Sequence, residues 1–317
     1  YTNYIFPNYN ASLFAENIFR LTPKLSIIPG IRFENIITRA DGDYTQYSMN
    51  QANQVFFTNP MHETKDRSRH FVIGGIGFSY FQNQDVQLYA NISQNYRAIN
   101  FNDINSANKN IQVDPNLQDE TGYSADIGMR GNTSDIFNYD VSVFFINYDN
   151  RIGTVQRADT VSTPTHVATF NDYRYRTNVS QSRNFGLESF AELEVLHFFK
   201  PGSATKVSVF TNLALINARY INSKEPAYNN RKVELAPDMI FKTGLSYKRN
   251  KLSASYQVAY TSGQFADATN ATFLANAIDG IIPAYTVMDV SASYNLSRVL
   301  TLGGSVNNLA DARYFTR

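Results

Sequence analysis

Tyr285-Thr286-Val287-Met288-Asp289-Val290-Ser291-Ala292-Ser293-Tyr294-Asn295-Leu296 sorts by parity. Thr286, Met288, Val290, Ala292, Tyr294 and Leu296 hold the even positions, and Asp289, Ser291, Ser293 and Asn295 hold odd ones. Successive side chains of a strand point to opposite faces, so one face of this segment suits lipid and the other suits water. Val86 to Arg97 splits the same way, with Val86, Leu88, Ala90 and Ile92 against Gln87, Tyr89, Asn91, Ser93, Asn95 and Arg97. Leu252 to Thr261 repeats it. A soluble β-sandwich also alternates, but these segments exceed the usual soluble strand of about 5–6 residues. The reading is an all-β chain forming a transmembrane antiparallel β-barrel.

The connections alternate in length as well. Short turns fall at Thr22-Pro23-Lys24, Asn83-Gln84-Asp85, Gly131 to Asp135, Lys200 to Thr205, Arg249-Asn250-Lys251 and Ser297-Arg298-Val299. Between them lie polar stretches expected to be long loops: Ala40 to Asp66, Asn100 to Asp119, Arg157 to Asp172, Asn222 to Arg231 and Asp267 to Gly280. Bacterial outer-membrane barrels put short turns in the periplasm and long loops outside, which orients the chain.

Composition fits a membrane signal carried by alternation. Charged residues make up 17% and aromatics 14%, with 21 Tyr and 23 Phe. Mean hydropathy is nevertheless −0.34, and no run approaches the ~18–20 apolar residues of a membrane helix. Phe19, Phe81, Phe137, Tyr139, Phe198, Phe199, Tyr247 and Tyr294 cluster near the short turns, where a barrel carries its periplasmic aromatic girdle. The chain has no Trp, the usual girdle residue, and no Cys, so no disulfide framework is at work. A net charge of +1 provides no broad basic surface for nucleic acid.

The first short turn implies that Ala11 to Leu21 descends from outside, and Leu300 to Phe315 ascends from the last one. Roughly twelve strands are expected, beginning and ending on the outer side. Open sheet edges in hydrocarbon leave backbone groups unpaired at several kcal/mol each, so further strands are expected on both sides.

Several segments resemble one family in order. Pro29-Gly30-Ile31-Arg32-Phe33-Glu34, Tyr89 to Ala98, Glu120 to Gly131 and Asn184-Phe185-Gly186-Leu187-Glu188 each resemble strand motifs of TonB-dependent outer-membrane receptors. Tyr285 to Val290 followed by Asn307-Asn308-Leu309-Ala310-Asp311-Ala312-Arg313-Tyr314-Phe315 resembles their penultimate strands. The ending Arg313 to Arg317 most resembles ferric-dicitrate-type receptors. The resemblance implies that residues 1–317 form about strands 10 to 21 of a barrel of about 22 strands with a plugged lumen. The plug domain, the energy-coupling box and the last strand are expected outside these residues. It further implies a bacterial outer-membrane location and active import of a ferric chelate, either ferric citrate or another siderophore complex. Energy would come from a TonB–ExbB–ExbD complex acting through the N-terminal region, with outer-membrane lipid and lipopolysaccharide around the wall. No resident cofactor is expected, because the iron chelate is cargo. Receptors for cobalamin, peptides or glycans share the architecture, and a passive porin is the other reading.

Inward charges expected on the lumen side are Glu16, Arg32, Glu34, Arg97, Asp126, Arg130, Glu188, Glu192 and Lys242. Most are expected to pair across adjacent strands or to hold the plug, a reading that Arg32 with Glu34, or Glu188 with Glu192, fits. Ferric citrate and most siderophore complexes are anionic, and guanidinium forks suit carboxylate oxygens. Candidate ligand contacts are therefore the arginines at outer strand ends: Arg67, Arg69, Arg97, Arg157, Arg174 and Arg176. Tyr173 and Tyr175 interleave with the last two and suit an aromatic or catecholate ligand.

Catalysis has little support. His62, His70, His166 and His197 show no metal-ligand spacing, and no Gly-x-Ser-x-Gly elbow occurs. Gly74-Gly75-Ile76-Gly77 reads as strand, with no following helix to make a phosphate loop. Asp41-Gly42-Asp43 reads as a turn rather than a calcium loop.

Overall fold

The computed structural model describes residues 2–49, 55–100, 111–134, 136–163, 166–223, 226–272 and 280–315. The chain begins with β1 (Thr2–Ile5), β2 (Asn8–Glu16) and β3 (Phe19–Arg20), followed by β4 (Leu25–Met49), β5 (Val55–Phe81), β6 (Val86–Arg97) and β7 (Ile111–Val113). Next come β8 (Glu120–Thr133), β9 (Phe137–Thr163), β10 (His166–Glu194), the one-turn helix α1 (Val195–Phe199) and β11 (Thr205–Ile221). The last strands are β12 (Met239–Arg249), β13 (Leu252–Thr261), β14 (Gln264–Phe265), β15 (Ile281–Ile282), β16 (Tyr285–Asn295) and β17 (Thr301–Val306).

One sheet runs β1-β4-β5-β6-β8-β9-β10-β11-β12-β13-β16-β17, with β2 and β3 also paired to β4. Since β1, β2 and β3 form a single interrupted strand along β4, the described residues give twelve wall strands, as the alternation predicts. Neighbours are antiparallel throughout the wall and the sheet is not closed.

Register fixes the faces. Val290 pairs with Tyr256 and Val306, while Asp289 pairs with Gln257 and Ser291 with Ser255, so the even residues of β16 share the apolar side as expected. The polar face carries its own contacts: Gln257 donates to Asp289 (2.8 Å), and the hydroxyls of Ser255 and Ser291 lie 2.7 Å apart. Apolar side chains such as Leu13, Ile127 and Val143 stand in the open on the other face. In a soluble protein that would be a serious liability; against lipid it is the solvated arrangement. Arg32 and Glu34 do pair, but along β4 two residues apart and not across adjacent strands. Two inward glycines face aromatic rings across the ladder, Gly186 opposite Phe144 and Gly244 opposite Phe210. A Cβ at either would sit 2.7 Å from the ring's Cζ, so hydrogen at these positions lets the rings lie against the wall.

Five expectations need correction. The described residues of Ala40 to Asp66 and of Arg157 to Asp172 are strand and not loop, because the hairpins continue as ladders, Ala40 opposite Lys65 and Thr45 opposite Pro60, Arg157 opposite Tyr173; 50–54 and 164–165 lie outside the described residues. Above the bilayer both faces meet water, so polarity ceases to mark strand ends while backbone pairing persists. Asp41-Gly42-Asp43 accordingly lies in β4 and not in a turn. The first wall strand is broken at Pro7 and again after Glu16, so Ala11 to Leu21 is not one strand.

The last strand stops at Val306 rather than running to Phe315. Asn308 and Asp311 take left-handed φ of 53° and 49°. The Asn308 amide donates to the Ala312 carbonyl and accepts from its N–H, both at 2.9 Å, while Asp289 accepts from the Asn308 N–H at 2.9 Å. Asn tolerates this conformation because its short amide bonds the local backbone. Of the expected outer loops, 101–110 and 273–279 lie outside the described residues.

Candidate ligand site at the outer mouth

Buried side chains concentrate at the outer ends of the strands. Segment 111–120 lies there as a strap, beginning with β7, which pairs in parallel with β10: Arg174 with Ile111, Tyr175 with Gln112 and Arg176 with Val113. Asp114 accepts from the Thr177 hydroxyl at 2.6 Å, and its N–H donates to the Arg176 carbonyl. Asn178 and Gln118 exchange bonds, the Asn178 amide donating at 2.9 Å and accepting at 2.7 Å. From the other side Arg67 donates to the Leu117 carbonyl (2.7 Å), and Arg69 Nε lies 2.8 Å from Asp119 Oδ2. Tyr96 donates to the same Asp119 oxygen (2.6 Å), while Ile99, Leu117 and Ile152 form an apolar cluster with Val113 against it.

The strap ends at Glu120, which is fully buried. Its carboxylate receives Arg97 Nη1 at 2.8 Å, Arg151 Nη1 at 2.9 Å and the Ile152 N–H at 2.9 Å. Burying a carboxylate without partners is prohibitive; two guanidinium groups and a backbone donor make this one tolerable.

A polar cavity of about 340 Å³ opens beside the strap, lined by Asp114, Asn116, Arg157, Thr177, Asn178 and Tyr228 among others. Arg157 lies over the Tyr175 ring, 4.1 Å from its centroid, and Tyr173 meets Tyr175 edge-on at 6.3 Å. Tyr175 also packs on the cluster of Val155, Val179, Tyr220 and Tyr228. Burial pushes the Tyr175 hydroxyl up, with Asp114 nearby reinforcing the shift. Burial also acts upward on Asp114, but donation from Thr177 and the Asn116 N–H outweighs it and holds the carboxyl below the ordinary 3.8. On the distal part of the β4–β5 hairpin, a hydrogen bond to Asp43 holds His62 above its usual 6.5.

The eight expected ligand residues thus divide into three groups. Arg67, Arg69 and Arg97 are tied to the strap through 117–120. Arg157 lines the cavity, with Tyr175 against its guanidinium and Tyr173 edge-on to Tyr175, while Arg174 and Arg176 alternate with the tyrosines and fall on the opposite face of β10, Arg176 donating to Thr154 at 3.3 Å. The ladder shifts register between Asn178 and Ser182, which decides this division, since a bulge exchanges faces beyond it. Asp114, Asn116, Thr177 and Asn178 went unread as site residues; the one signal was Asp114-Pro115-Asn116, a turn sequence.

These features define the wall and outer mouth of an outer-membrane β-barrel, carrying an internal strap and a polar recess. Residues 1–309 match the family model described as TonB dependent receptor-like, beta-barrel, and the chain belongs to that family. Its fold is similar to the closed form of the ferric-catecholate import receptor Fiu from E. coli K12 (16% identity, 98% of this chain and 42% of that chain covered, TM-score 0.68). It is also similar to the unliganded ferric citrate transporter FecA (16% identity, 100% and 51% covered, TM-score 0.66) and to the copper transporter OprC (17% identity, 98% and 43% covered, TM-score 0.67). The chain therefore spans about half or less of those structures' length. No curated protein matches it significantly.

Proposed function

We propose that this chain is the outer-membrane wall of a receptor that binds a ferric chelate, a siderophore complex or ferric citrate, and imports it with TonB-supplied energy. The cavity beside the strap carries this reading: Arg157, braced on Tyr175, offers a guanidinium fork to a carboxylate or catecholate oxygen, and Tyr173 and Tyr175 offer faces and edges to an aromatic ring. Tyr228 and Thr177 complete the recess. Membership of the TonB-dependent receptor family favours a gated receptor over an open pore. Arg67, Arg69 and Arg97 serve by holding the strap. Energy coupling would run through a TonB–ExbB–ExbD complex and parts of the polypeptide beyond these residues. Similarity to receptors for ferric catecholate and ferric citrate supports the ligand class.

Calorimetric titration of the full-length protein with ferric dicitrate and with a ferric catecholate tests it. Arg157→Ala should weaken binding of the cognate chelate by about 1.5–3 kcal/mol, the worth of a charged hydrogen bond, whereas Arg174→Ala/Arg176→Ala should weaken it less. Equal affinity for wild type and Arg157→Ala would remove the cavity from the binding site.

A further inference from the structure

We propose that the lipid-facing wall between β5 and β11 holds a phosphate-bearing lipid of the outer leaflet, with an acyl chain in a built groove and the phosphate on Arg183 and Arg219. The register lays this face out in rows. Phe78, Ala90, Ile127 and Val143 form one row, and Ile76, Ile92, Ala125, Phe145 and Phe185 the row above it. The two alanines are diagonal neighbours among large side chains, and they leave an apolar trough of about 800 Å³ walled by Phe78, Ile92, Phe145 and Phe185. Methyl side chains flanked by rings make a channel of acyl-chain character.

The next row is polar and amphipathic: Gln94, Tyr123, Asn147, Arg183 and Arg219, each paired with the next. From Glu194 at the periplasmic end of β10, Arg183 lies about 37 Å along the strand, or about 26 Å in height at ~45° tilt. The apolar band of such barrels is ~25 Å tall. Arg183 therefore stands at the outer hydrocarbon boundary, where headgroup phosphates lie, and it lines the upper end of the trough.

Arg183 and Arg219 are direct register partners, a like-charge pair that repels when nothing lies between. Arg183 rests on the Phe145 ring (5.8 Å), and Arg219 donates to Asn217 (3.1 Å) and to the Asn230 carbonyl (2.7 Å). Among the described residues neither forms an ion pair with a carboxylate. Asp149, on the same face, accepts instead from Asn147 (3.3 Å) and Gln181 (2.7 Å). Two guanidinium groups held side by side at headgroup height by rings and neutral amides match a phosphate monoester.

Native mass spectrometry of the full-length protein in mild detergent, titrated with bis-phosphorylated lipid A, reads the occupancy. Arg183→Gln/Arg219→Gln should lower retained lipid A by about tenfold or more, and Arg183→Lys/Arg219→Lys, which keeps both charges but loses the planar forks, should retain an amount between that variant and wild type. Ala125→Phe, which fills the trough and leaves both arginines, should also lower retention. All variants are compared after heat-modifiability confirms a folded barrel. Retention unchanged in Arg183→Gln/Arg219→Gln would overturn the proposal. So would retention unchanged in Ala125→Phe, which would leave phosphate binding without the acyl groove, or equal retention of lipid A stripped of its phosphates.

Discussion

Arg97 and Glu120 face each other across the β6–β8 pair with Nη1 2.8 Å from Oε1, and that contact pins the end of the strap to the wall. Arg151 takes the other carboxylate oxygen at 2.9 Å. The three side chains form one charge cluster, with the fully buried Glu120 anion between two partly exposed guanidinium groups.

Removing that anion strands two guanidinium groups and the Ile152 N–H. Glu120→Ala should destabilise the barrel by about 3–5 kcal/mol, the range for breaking a buried ion pair from one side, read as a lower urea midpoint in lipid vesicles. Glu120→Gln, which keeps acceptors, should cost less. A midpoint unchanged in Glu120→Ala would mean that the strap is held elsewhere.

The hold of Asp114 on the strap depends on pH. Its folded value lies below 3.8, so the contact with Thr177 contributes fully above the unfolded value and is lost as pH falls through the folded one. Hydrogen exchange of residues 111–118 should accelerate in that acid window, and Asp114→Asn should show the acceleration at neutral pH. Exchange indifferent to both changes would detach Asp114 from the strap's stability.

Face assignment has a direct mutational readout. Val290 lies near mid-membrane on the outward side, and Val290→Arg should cost about 2–4 kcal/mol, whereas Ser291→Arg points to the lumen and should cost less. The reverse order would place the register of β16 one residue out.

The wall was legible in the sequence because lipid on one side and water on the other impose period two: Leu88, Ala90, Ile92, Val290 and Ala292 read outward at once. The mouth was not. A bulge between Asn178 and Ser182 turns Tyr175 inward and Arg176 away, and no local pattern announces it. The parallel pairing of Gln112 with Tyr175 joins residues more than sixty positions apart, so the strap's course and its Asp119 and Glu120 anchors emerge only in three dimensions. Polar stretches above the bilayer, such as Ala40 to Asp66, read as loops because water on both faces erases the alternation that marks a strand.

Energised import of a ferric chelate is the central claim, and uptake of radiolabelled ferric chelate by iron-starved cells tests it most directly. A strain lacking the gene should take up the cognate chelate more slowly, and collapsing the proton-motive force in the parent strain should slow uptake to the same rate. Uptake by the parent that persists after collapse would contradict energised transport and identify a passive pore.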